Sequence, residues 1–144
     1  MSAKGIRDID VIRTFVLQGT LNFTRYFFKI RQKRKFVIGK HHREIAAALD
    51  KVLCGEITRL IINIAPRYGK TELAVKNFIA EGLAINPKAK FIHLSYSDDL
   101  ARDNSRGVQD IINEPEYRRI FPATIPTSTN TKKWYTTEGG DRKS

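Results

Sequence analysis

Cysteine is nearly absent. Cys54 stands alone among 144 residues. A single thiol excludes an internal disulfide and a cysteine-rich metal site. Its place at the end of an amphipathic stretch, "DKVLCGE", predicts a small buried or half-buried structural residue. No segment approaches the roughly 18 consecutive apolar residues of a membrane span. The N-terminus "MSAKGIRDID" lacks an apolar signal core, so a cytoplasmic chain without a membrane partner is expected. Acid is missing from one long stretch: Val11 to Arg43 holds nine of the 26 Lys and Arg and none of the 15 Asp and Glu. The remainder is close to neutral, so the net charge of +11 is concentrated in the N-terminal third. A block of that kind suits a polyanion partner or, more blandly, a solvated helix face.

What is present is ordinary for a folded chain: 41% hydrophobic and 28% charged residues, which excludes wholesale disorder. The extreme N-terminus and the Pro-, Thr- and Ser-rich 122–133 segment look like non-core. "LNFTRYFFKIRQKRK" places Phe23, Phe27 and Ile30 at helical spacing and predicts a helix from an N-cap at Asn22, its aromatics in the core rather than stacking on bases. "HHREIAAALDKVLCGE" reads as a second helix, with Ile45, Leu49, Val52 and Leu53 on one face and Gly55 as terminator. "TRLIINI" and "KFIHLSYS" are near-continuous apolar runs of the type found in strands covered on both faces. Each precedes a helical pattern: 70–85, ended by Asn86-Pro87, and 98–112, with Leu100, Val108 and Ile111 inward. "EPEYRRIF" adds a helical turn and "KKWYTTE" a last strand. Strand, loop, helix, strand, helix implies an α/β fold of the P-loop NTPase type: a parallel sheet flanked by helices, incomplete after its second strand–helix unit. The expected divisions are an arm at 1–21, a partial ATPase domain at 22–121, and a loop and tail at 122–144.

The stretch "IAPRYGKT", Ile64 to Thr71, carries the chemistry. The phosphate-loop pattern G-x-x-x-x-G-K-[ST] fits except that Ile64 replaces the first glycine. An apolar run leading in and a helix leading out would aim backbone N–H groups at one spot. Gly69 would let backbone approach a phosphate, Lys70 would neutralise the β- and γ-phosphates, and Thr71 would ligate Mg²⁺. Arg67 has the fork geometry to reach a γ-phosphate. The binding set is therefore Pro66, Arg67, Tyr68, Gly69, Lys70, Thr71 and Glu72, with Lys70 and Arg67 acting on the reacting phosphate, and ATP and Mg²⁺ as ligands. The Ala65-Pro66 pair stiffens the lead-in and costs one N–H donor.

Hydrolysis needs an acid at the end of a further strand, and usually a glutamate beside it. Asp50 fails because it lies on a helix before the loop. Asp98 and Asp99 follow an apolar run, but "SDDLA" is better explained as a capped helix start with acids favoured by its dipole.

From Asn22 to Phe121, about two-thirds of the chain, the sequence resembles the large subunits of tailed-bacteriophage terminases, the motors that package viral DNA. The lead-in "HHREIAAALDKVLCGEITRLIINIAPRYGKTE", the loop and the segment ending "PEYRRIFP" follow that family's order of parts. The family often carries P-P-R-[HY]-G-K-[ST], where Arg67 is expected and the first glycine is not. The resemblance implies an ATPase driving translocation of double-stranded DNA in a bacterial host's cytoplasm, with Lys70, Thr71 and Arg67 at the phosphates. It also implies a portal and a small terminase subunit as partners and a ring of subunits. The family's adenine pocket involves residues upstream of the loop, where His41 and His42 lie; both histidines read here as surface structural residues. The family continues to a metal-holding acidic strand and a nuclease that this sequence does not display. The expectation is a truncated product or fragment with weak ATP binding, negligible hydrolysis and no DNA cleavage. A helicase-like ATPase fragment and a non-catalytic basic nucleic-acid-binding module are the alternatives.

Overall fold

The computed structural model describes residues 3–122, with side chains from Asp8 onward. Six α-helices run in chain order: α1 Ala3–Val16, α2 Thr20–Gln32, α3 Lys40–Leu53, α4 Phe78–Ile85, α5 Asp98–Asn113 and α6 Pro115–Ile120. A π-helical segment, Glu72–Asn77, leads directly into α4, with the Phe78 N–H reaching Leu73 O five residues back. Lys70 and Thr71 open this continuous helix.

Two apolar clusters hold the helices together. The larger joins Val16, Phe23, Phe27, Ala80, Leu83, Val108, Ile111, Ile112, Tyr117, Ile120 and Phe121. Phe23 and Phe27 are fully buried, so the aromatics of α2 are core residues, as their spacing predicts. Tyr117 buries its ring there and donates its hydroxyl to Ala80 O at 2.8 Å, which satisfies the one polar atom of that side chain. α1 belongs to the same core although its segment reads as an outlying arm. Val16 is fully buried, and Arg13 donates to Ile120 O at 2.7 and 3.1 Å, capping the C-terminal end of α6. The smaller cluster joins Ile45, Leu49 and Leu73 beneath Leu60, Ile62 and Ile64.

Among the described residues there is no strand and no sheet. This corrects the expectation of a parallel α/β sheet. The two apolar runs are extended but single-faced. Leu60, Ile62 and Ile64 lie on the smaller cluster, while Ile61 between them is 85% exposed. In the second run Ile92 and Leu94 are 88% and 84% exposed, and His93 turns in to meet Asn104 Nδ2 at 3.1 Å. The period-2 alternation of extended chain survives, but ladder bonds need a second segment about 4.8 Å away, and the helices bury their own core without supplying one. A β-branched run expresses local propensity; a sheet is a tertiary product.

Three smaller expectations also change. Helix α2 begins at Thr20, not after Asn22, because Asp50 of α3 accepts from Thr20 N at 2.8 Å and from Thr20 Oγ1 at 2.9 Å. Cys54 is exposed: as the C-cap of α3 it lies past the helix's buried face. Leu100 is partly exposed rather than inward. Gly55 has the positive φ of 84° expected of a helix terminator, and Ser97 Oγ accepts from Leu100 N at the start of α5, with Asp98 and Asp99 in the first turn. Beyond Pro122, the 122–133 loop and the "KKWYTTE" strand lie outside the described residues.

Candidate functional site

The loop from Ala65 to Thr71 joins an extended run that ends on the smaller cluster to a helix that starts at Lys70. Two of its residues have left-handed backbone, Arg67 with φ 69° and Gly69 with φ 74°. Glycine accepts that conformation freely, whereas a residue with a Cβ loses about 1–2 kcal/mol there. A Cβ on Gly69 would also meet His42 Nε2 at 3.0 Å, so position 69 needs glycine on two counts.

Lys70 folds back over this turn. Its ammonium donates to Ile64 O at 3.2 Å, which holds the charge beside the loop it follows. The Tyr68 N–H closes the turn through Pro66 and Arg67 back onto Ala65 O, and among the described residues no protein acceptor meets the N–H groups of Arg67, Gly69 or Lys70. Three unengaged donors and one ammonium form a concentration of positive potential. The Thr71 hydroxyl makes no capping bond and, among the described residues, meets no partner. Its chemistry suits Mg²⁺, a hard cation that prefers oxygen. Arg67 and Pro66 are exposed, and Arg67 has no ion pair among the described residues.

Glu72 is placed differently from its neighbours. Its carboxylate is bound by the Arg31 guanidinium, lies 3.8 Å from Lys76 Nζ, and accepts from Asn77 Nδ2 at 3.1 Å. These contacts tie α2 to the π-helical segment and turn Glu72 inward, away from any ligand on the loop.

The opposite side of the loop rests on α3. His42 is buried, 6% exposed, at the third position of that helix. Its Nδ1 accepts from Gly39 N–H at 2.9 Å, and its Nε2 lies 2.7 Å from Tyr68 O. A nitrogen that accepts an N–H carries no proton, so the neutral ring is the Nε2–H tautomer and donates to the Tyr68 carbonyl. Burial pushes the His42 imidazole below the usual histidine range; the Tyr68 carbonyl opposes that shift and His41 adds to it. The His41 ring lies tilted against His42 at 3.9 Å between centroids, its Nε2 3.1 Å from His42 Nε2 and 3.3 Å from Tyr68 O, and it meets the Tyr68 ring edge-on at 5.4 Å. The surface reading of both histidines therefore fails for His42. Its partner lies 26 residues away, and the sequence signal that could have flagged it is its place three residues after Gly39, the capping-box spacing.

The acid-free block adjoins the site through aromatic contacts. Phe36 packs on His42 at 4.9 Å and on Phe28 at 5.1 Å, and Arg34 covers the Phe28 ring at 5.7 Å. Arg25, Lys29, Lys33, Lys35 and Arg43 of this block are exposed. Among the described residues no cluster of His, Cys, Asp and Glu could hold a metal by itself, and no helix is long and apolar enough to cross a membrane.

No family model, curated protein or solved structure matches the chain.

Proposed function

We propose that the chain binds the polyphosphate of ATP, with Mg²⁺, on the 65–71 loop, as the nucleotide-holding part of a motor of the terminase kind that acts on double-stranded DNA. The observation that carries this reading is the placement of Lys70: its ammonium is held on Ile64 O, beside a turn in which the Arg67, Gly69 and Lys70 amides have no partner among the described residues. In this role the amides and Lys70 take the phosphate oxygens, the Thr71 hydroxyl is the protein's ligand for Mg²⁺, and Arg67 reaches the terminal phosphate. The chemistry assigned to these residues is binding; Glu72 is held by Arg31. The exposed cations of α2 and the 33–43 segment are the surface offered to DNA, by charge and not by base reading.

Calorimetric titration of the chain tests both halves. Mg-ATP should bind the wild type and lose at least about tenfold in affinity with Lys70→Ala, the scale of one charge-assisted contact. Duplex DNA should bind both proteins alike and weaken steeply as salt rises. Equal ATP affinity in the two proteins would remove the nucleotide reading and leave a basic nucleic-acid-binding module.

A further inference from the structure

We propose that His42 is the positioning residue of the phosphate loop, setting the direction of its amides through the Tyr68 carbonyl. The inference rests on the reading of that loop as a polyphosphate site. In a trans peptide the C=O and the following N–H point in opposite directions, and no described peptide bond is cis. Fixing Tyr68 O on His42 Nε2, at 2.7 Å, therefore aims the Gly69 N–H away from α3. His41 Nε2 lies farther from the same carbonyl, at 3.3 Å, so the His42 bond is the shorter hold; without it, a turn with left-handed residues at 67 and 69 has a competing arrangement, in which the 68–69 peptide flips and presents a carbonyl where an anion needs a donor.

His42 is itself immobile. Gly39 N–H donates to its Nδ1 at 2.9 Å, and the Phe36 and His41 rings contact it at 4.9 and 3.9 Å between centroids. The ring thus links the start of α3 to the loop as one unit, and the close approach of Gly69 leaves no room for a bulkier residue between them. His42 donates to protein and reaches no phosphate, so its effect is on the population of the binding-competent loop.

Three measurements on the full chain decide the matter. His42→Phe keeps a ring against Phe36 but loses both nitrogens; His42→Gln keeps a donor and an acceptor at the capping position. Mg-ATP should bind the Phe variant at least about tenfold more weakly than wild type, and the Gln variant should recover to within about threefold. Imidazole nitrogen spectra of the unliganded wild type should show His42 protonated on Nε2 alone, a readout independent of any variant's folding. Wild-type affinity in His42→Phe, or a proton on Nδ1, overturns the proposal. Failure of wild type to bind ATP sinks the phosphate reading and this role with it, and the Nε2–H tautomer would still be seen, so the two failures are distinguishable.

Discussion

Glu81 buries a carboxyl, 1% exposed, with one oxygen lacking any hydrogen-bond partner. Its neighbours are the Thr20 hydroxyl and the Asp50 carboxylate. Thr20 gives its hydroxyl proton to Asp50 at 2.9 Å, and the interaction it has with Glu81 favours the ionised carboxylate, opposing the effect of burial. Burial, ahead of the Asp50 charge, raises its pKa to about 7 from 4.5. The native state then holds this proton across a range where the unfolded chain has released it. Stability from this group is present below pH 4.5 and falls as pH rises through about 7, by on the order of 3 kcal/mol. Glu81→Gln should flatten that slope and be the more stable protein at pH 8, measured by urea unfolding at several pH values; an unchanged slope would show that Glu81 does not titrate in this window. Little of this was legible in the sequence. Gly69, Lys70 and Thr71 declare themselves because their chemistry is set by adjacent residues. Glu81, His42 and the Arg31–Glu72 pair act through partners 26 or more positions away, and only the fold brings those together.

Helices were the legible elements. The 3.6-residue period, the Ser97 cap, Gly55 and the Asn86-Pro87 stop are local signals, and the observed helices follow them closely. There are two exceptions: α1, in a segment that reads as an arm, and the start of α2, whose cap is Asp50, 30 residues on. The extended runs were misjudged because β-branched composition reports what a segment tolerates, not whether a neighbour exists to pair with it. The structure divides residues that composition alone would treat alike. Ile61→Thr and Ile92→Thr, on open faces, should each change the unfolding free energy by less than about 0.5 kcal/mol. Leu73→Ala, in the smaller cluster, should cost about 2–5 kcal/mol. Denaturant midpoints with constant m-values are the check; a cost near 2 kcal/mol for either threonine would mean that these faces are covered in solution.

For the whole molecule, charge and core are arranged separately. The larger cluster assembles five of the helices, while the smaller one, Ile45, Leu49 and Leu73, lies under the extended lead-in and the helix that leaves the loop. The loop is therefore supported by apolar contacts and by His42, with the Arg67, Gly69 and Lys70 amides unengaged among the described residues, and the basic 33–43 segment adjoins it through Phe36. That arrangement separates a phosphate site, which should be local and dependent on Lys70, from a diffuse polyanion surface, which should be neither. Amide nitrogen–proton spectra recorded during a Mg-ATP titration compare the two directly. The account predicts that the Arg67, Gly69 and Lys70 amides shift first and furthest in wild type and stay in place in Lys70→Ala. Shifts confined to Arg25, Lys29 and the 33–43 segment, with the loop amides unmoved, would contradict it.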